Sequence, residues 1–252
     1  MPANPVPLPS PRKLRSRAVS ARVPNARTKL LDAAMRIIRE QGYAATSVDE
    51  LCAAAGVTKG AFFHHFASKE ALGVAAVDHW SATTARIFEG APYHDHSDPL
   101  SRVLGYLDFR AWLIGGTTAQ FTCLAGTMAQ EVFASHPAIR TACYTSIAGN
   151  AATLEADLAA AIARDGAPEG VTEHGLAMHI QCVLQGAFVI AKAKDDPGFA
   201  VESLLHLRRY FTLLFGRETS EPDLAEIAAQ NAAMRSHLEN LFWTDQSQGE
   251  KQ

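Results

Sequence analysis

Residues 46–72 read TSVDELCAAAGVTKGAFFHHFASKEAL. The stretch predicts two short helices joined by a tight turn, followed by the start of a third. Ser47 and Glu50 have the S-x-x-E spacing of a capping box, and Thr46 with Asp49 repeats the option one residue earlier. Either start gives a helix whose apolar positions, Val48, Leu51, Cys52 and Ala55, fall at i, i+3, i+4 and i+7. Gly56 follows at once, suited to the left-handed conformation that ends a helix. Thr58 then caps a second helix, with Phe62 and Phe66 one turn apart on the side facing the first. Lys59, Gly60, Phe63 and His64 fall on the opposite face.

A helix-turn-helix presents its second helix in this way, one stripe packed and the other free to enter the major groove. Gly60 has no side chain, which permits close backbone approach to DNA. Ser68 caps the next helix and places Lys69 at its positive end, a suitable place to hold a phosphate. The expected DNA-contacting set is therefore Thr46, Ser47, Thr58, Lys59, Gly60, Phe63, His64 and Lys69, while His65 is expected to pack at the domain's edge or against the following helix.

With its flanks, this region resembles the DNA-binding domain of tetracycline-repressor-like (TetR) transcriptional regulators. The resemblance covers residues 28–72, roughly a fifth of the chain. It is carried by the order and spacing of KLLDAAMRIIREQGY, TSVDEL, AGVTKGAFFHHF and SKEAL. The family usually has Tyr where this chain has Phe63, and that hydroxyl commonly meets a phosphate. Phe63 can supply only apolar contact, to a thymine methyl or a sugar.

Charge distribution extends the reading toward the N-terminus. Residues 1–29 hold Arg12, Lys13, Arg15, Arg17, Arg22, Arg27 and Lys29 and no acidic residue. The chain's formal charge is −3, so residues 30–252 carry −10. This segment reads either as an arm contacting phosphates or the minor groove, or as a solubilising leader. Pro2, Pro5, Pro7, Pro9 and Pro11 predict that its start is unstructured in isolation.

Composition bounds the remaining classes. With 252 residues and 48% hydrophobic content, the chain can bury a substantial core. Its four cysteines, Cys52, Cys123, Cys143 and Cys182, are widely spaced, which is neither a disulfide framework nor a zinc pattern. The N-terminus has no apolar signal core and no run approaches ~20 uninterrupted apolar residues, so neither secretion nor membrane spanning is expected. Enzyme signatures are missing: there is no G-x-S-x-G, G-x-G-x-x-G, G-x-x-x-x-G-K or H-E-x-x-H, and Glu173-His174 lacks the spacing of a di-iron pair. His94, Asp95, His96 and Asp98 share a loop, but no second cluster completes a site. Neither a metal nor a cofactor is expected.

Past Leu72 the chain reads as helices throughout. Ala, Leu and charged residues dominate and breakers fall at helix-like intervals. Helices are expected at 68–90, from Pro99 to Gly115-Gly116, at 119–134, from Pro137 to Asp165, at 172–194 and at 200–215, with a weaker one at 221–243. The expected fold is all-α. A basic arm (1–25) precedes a helix-turn-helix domain (26–72), a ligand-binding and dimerisation bundle (73–218) and a C-terminal helix and tail (219–252).

Helices 172–194 and 200–215 are apolar around more than one face, which predicts burial against the chain's own core on one side and a second copy on the other. The resemblance likewise implies an inducer-binding, dimer-forming bundle. Aromatic candidates for an effector pocket are Phe109, Trp112, Phe121, Phe133 and Tyr144. Softer candidates are Cys123, Met128, Met178 and Cys182, with Gln120, Gln130, His179, Gln181 and Gln185 to orient a ligand. Cys123 is either an electrophile- or oxidant-sensing thiol or a small buried hydrophobe, and nothing cationic lies within a helical turn of it.

These readings combine into a cytoplasmic homodimer that binds a palindromic double-stranded DNA operator and is released by a small-molecule effector. Repression is what the family resemblance implies. The alternative is a helical protein-interaction module whose helix-turn-helix does not bind DNA. Salt-sensitive affinity for a duplex separates the two.

Overall fold

The structure is a computed structural model that describes residues 25–218 and isolated positions from 222 to 229. Residues 1–24 of the basic segment and most of the helix expected at 221–243 lie outside the described residues, while Arg27 and Lys29 lie in the first helix.

Ten α-helices and no strand occur among the described residues. Helix α1 (Ala26–Gln41) starts on Asn25, whose side chain accepts from Thr28 N, and ends at Gly42, whose φ of 91° no other residue adopts easily. Helices α2 (Val48–Ala55) and α3 (Lys59–His65) form the expected pair, and α4 (Lys69–Glu89) leads out of it. A 3₁₀ turn (Pro92–Asp95) precedes α5 (Pro99–Leu113), which Asp98 caps by accepting from Ser101 N. Helices α6 (Thr118–Phe121), α7 (Leu124–Val132), α8 (Pro137–Asp165), α9 (Glu173–Lys194) and α10 (Gly198–Leu214) complete the described chain.

The single helix expected at 119–134 is instead broken at Thr122 and Cys123. Cys123 is extended and its sulfur accepts from Gly126 N, so it caps α7. The carbonyl of Gln120, which an unbroken helix would give to residue 124, accepts from the guanidinium of Arg39 instead.

Two apolar cores result. The first joins Leu30, Ile38, Leu51, Phe62 and Leu72 to Leu124, Met128 and Ile139. Packing beneath the helix-turn-helix therefore does not stop at Leu72; it recruits α7 and the start of α8. Phe62 is fully buried there, and truncating such a ring costs about 3–5 kcal/mol. The second core gathers Phe88, Leu107, Phe109, Leu158, Leu184 and Phe211 from α4, α5, α8, α9 and α10. Helix α4 serves both, with Leu72 and Val77 in the first and Ile87 and Phe88 in the second.

Among the described residues only α9 is long and apolar enough to cross a membrane, by length and composition alone. It packs between α8 and α10, and its Gln181 is buried and donates to Asn150 of α8.

Candidate functional site

The α2–turn–α3 unit is fixed by its caps. The Ser47 hydroxyl accepts from Glu50 N at 3.2 Å while the Glu50 carboxylate accepts from Ser47 N at 2.7 Å. Gly56, with φ 62°, closes α2, and Thr58 accepts from Ala61 N at 3.1 Å to open α3. Burial of Phe62 and Phe66 then orients α3, leaving Thr58, Lys59, Gly60, Phe63, His64 and His65 exposed. Phe63 is 56% exposed, its ring edge-on to Phe62, although Phe side chains are usually withdrawn from water. A Cβ on Gly60 would meet only the Thr58 hydroxyl at 3.7 Å, so the backbone there is bare surface.

Three of the expected contact residues sit differently. Thr46 is 1% exposed and its hydroxyl donates to Gly42 O at 2.6 Å, which removes its side chain from the surface. Its hydroxyl locks the turn between α1 and α2 instead. Lys59 is exposed but pairs with Asp49, Nζ to Oδ1 at 2.8 Å, and that bond raises its pKa. Such a surface pair is weak and readily exchanged for a phosphate. Lys69 lies over the Tyr43 ring at 4.4 Å and donates to Ala44 O at 3.4 Å, and partial burial lowers its pKa. His65 is exposed, 6.5 Å from the Phe66 ring.

A second feature lies in the bundle. A cavity of about 740 Å³ is enclosed by α4, α5, α8, α9 and the α6–α7 corner. Trp80, Phe88, Phe121, Leu184 and Phe188 supply apolar wall, and Arg110, Asn150 and Gln181 supply polar groups. Apart from His94 at one end, its solvent-exposed lining residues belong to α4 and α8, so the cavity opens between those helices.

Of the expected pocket residues, Phe121, Cys123, Gln120, Gln181 and Gln185 line this cavity. The others lie elsewhere because helix packing turns them away. Phe109 is buried in the second core with Trp112 stacked on it at 5.6 Å, and Met128 is buried in the first core. Met178 packs against the second core, and His179 meets Tyr210 at 5.4 Å on the outer side. Phe133, Tyr144 and Cys182 are exposed, and Gln130 bonds back to Gly126 O. Sequence reasoning missed Trp80, Phe88, Arg110 and Asn150. Arg110 and Asn150 carried the available signal, as polar residues on the inner faces of largely apolar helices.

Arg39 links the two features. It is 4% exposed, and burial lowers its pKa to about 10, which leaves it charged at neutral pH. Nε donates to Met35 O at 2.8 Å, Nη1 donates to Gln120 O at 3.3 Å, and the guanidinium lies 4.8 Å from the Trp80 ring. Helix α1 thus touches two elements of the cavity wall. The loop histidines serve local structure: His94 bonds Phe88 O, and Asp98 pairs with Arg164 and Arg217 besides capping α5.

Residues 30–76 match the family described as bacterial regulatory proteins, tetR family. The transcriptional regulator AcuR of Cereibacter sphaeroides is 29% identical over 42% of this chain and 49% of its own length. The transcriptional repressor DhaR of a Mycobacterium species is 29% identical over 44% of this chain and 60% of its own. The A-factor receptor protein of Streptomyces griseus is 37% identical over 30% of this chain and 27% of its own. The chain thus spans between about a quarter and three-fifths of the length of these three curated relatives. Solved structures agree over more of the chain. A TetR-family regulator from Agrobacterium tumefaciens superposes with a TM-score of 0.65 at 19% identity, covering 73% of this chain and 96% of that one. Reduced NemR from E. coli gives 0.60 at 25% identity, covering 73% and 96%. Motif order and family match agree that residues 30–76 carry the domain shared by bacterial regulatory proteins of the tetR family, and the helical architecture beyond them is that of the solved tetR-family structures.

Proposed function

We propose that the protein is a cytoplasmic, homodimeric transcriptional repressor that binds a palindromic operator and is released by a small molecule bound in the bundle cavity. The observation that carries the reading is the bare outer face of α3. Thr58, Lys59, Gly60, Phe63 and His64 are exposed together on a helix anchored by Phe62. Ser47 and Lys69 flank it at the ends of α2 and α4. Such a face fits the major groove, where Phe63 meets a thymine methyl or a sugar and the cations meet phosphates.

Two-fold symmetry follows from the requirement that two recognition helices read half-sites about 34 Å apart. The outer faces of α9 and α10 support it, because they leave Ile190 and Leu213 54% and 67% exposed. On this reading residues 26–72 are the DNA-reading unit and residues 73–218 the sensing and dimerising unit. The packing of α7 and α8 into the first core joins them.

Release follows from the route through Arg39. An occupant that displaces Trp80 or the α6–α7 corner alters the seat of α1 and hence the separation of the two α3 helices. The test is selection of bound duplexes from random DNA, then titration of the selected duplex at several salt concentrations. A palindromic product whose affinity falls steeply with salt supports the reading. Failure to enrich any duplex overturns it.

A further inference from the structure

The cavity holds an unbalanced charge. Arg110 is the one Lys or Arg among its described lining residues. Its Nε donates to the Tyr106 hydroxyl at 2.9 Å and its Nη2 to Asn150 Oδ1 at 3.0 Å. Its guanidinium lies 4.1 Å from the Phe88 ring. No carboxylate among the described residues pairs with it, and Nη1 and the second hydrogen of Nη2 have no acceptor there. The nearby acceptor is already saturated: Asn150 Oδ1 takes hydrogen bonds from Tyr106, Arg110 and Gln181.

The acids around the cavity do not correct this. Asp157 is held by Arg102, at 2.8 Å to Nε and 2.6 Å to Nη2. Asp78 and Glu89 are exposed. A half-buried cation among aromatic rings has lost hydration that no protein anion returns. A planar guanidinium with free donors on its outer edge fits a carboxylate better than any neutral group.

Resting on the reading of this cavity as the effector site, we propose that it takes an amphipathic monoanion. The ligand is a carboxylate on an aromatic or acyl body. Its head sits against Arg110, and its body sits against Phe88, Phe121 and Phe188. A cavity of about 740 Å³ suits a molecule of ordinary metabolite size. Entry between α4 and α8 passes the Ser81 and Ser146 hydroxyls, which bond each other at 2.7 Å.

The test uses the full chain without DNA and four acids, hexanoate, decanoate, 4-phenylbutyrate and 1-naphthylacetate, each beside its primary amide. Thermal unfolding and calorimetric titration read binding. At least one acid is expected to raise the unfolding midpoint and to bind about tenfold or more tightly than its amide. Arg110→Gln should abolish that difference, and Arg110→Lys, which keeps the charge, should retain most of it. The ligand-free midpoint of each variant verifies its folding. Equal binding of acid and amide, an Arg110→Gln variant that binds acids as well as the parent, or no binding by any acid overturns the proposal. Release of the selected duplex separates this idea from the one it rests on. Release by amides but not by acids keeps the effector reading and overturns the anion. Acid binding that leaves the duplex bound keeps the anion and overturns the effector reading.

Discussion

The carboxylate of Glu131, on α7, accepts the backbone N–H of Tyr43 at 2.6 Å, and the same oxygen accepts Ala44 N–H at 3.1 Å. These amides lie just past the end of α1, where the chain turns toward α2, so one side chain ties the helix-turn-helix to the helix that carries the cavity's corner. Gly42 belongs to the same arrangement, since a Cβ there would collide with that carboxylate. Glu131→Ala leaves the amides to water and should lower stability by about 1 kcal/mol in denaturant titration. Glu131→Gln, which keeps an acceptor, should lose less. Both variants should also weaken the effect of a cavity ligand on duplex affinity.

Thr46 and Lys59 should separate structure from recognition. Thr46→Val leaves the buried Gly42 carbonyl without its donor and should cost about 1–2 kcal/mol of stability. The salt dependence of duplex binding should not change. Lys59→Ala should leave the unfolding midpoint in place and reduce the salt slope by about one. Fluorescence anisotropy across a salt series reads the slope, and an unchanged slope would remove Lys59 from the interface.

The cysteines should sort by burial. Burial pushes the Cys143 thiol up to about 12, and burial raises Cys52 as well, so both are neutral and enclosed at neutral pH. Cys182 is exposed on α9. A brief treatment with a disulfide reagent, mapped by mass spectrometry, should spare Cys52 and Cys143 until the protein is unfolded, and should label Cys182 only when no second copy covers the outer face of α9. Labelling of Cys143 in the folded chain would contradict the packing of α8 against α7.

What the sequence could show depended on how local the cause was. The capping box at Ser47 and Glu50, the closing Gly56 and the Phe62–Phe66 pair act within one or two turns, and each is legible from spacing. The break at Thr122 and Cys123 is not, because the Gln120 carbonyl it frees is taken up by Arg39, a residue 81 positions away. Thr46 misleads for a related reason: it looks like a cap, yet its hydroxyl turns inward to Gly42. The cavity was the least legible feature. Its walls come from helices that pack far apart in sequence, and its charged member, Arg110, is recognisable only when the missing acid partner can be checked in space.

Gly186 gives the sharpest test of the assembly. It lies on the outer face of α9 with Cys182, Val189 and Ile190, and that face continues across Tyr210 and Leu213 of α10. A Cβ at Gly186 would meet nothing within 4 Å, so the single chain has no packing reason for glycine there. Within a helix, replacing glycine should even gain up to about 1 kcal/mol in propensity. A second copy docked on this face supplies the missing reason, because small residues let helices approach closely. Gly186→Arg should therefore leave the fold of each chain intact while placing a bulky charge in the middle of the interface. Light scattering should give twice the chain mass of 27.1 kDa for the parent and the single mass for the variant. Duplex affinity should fall together with the mass, because each monomer can read only one half-site. A variant that stays dimeric with full affinity would move the two-fold axis away from α9.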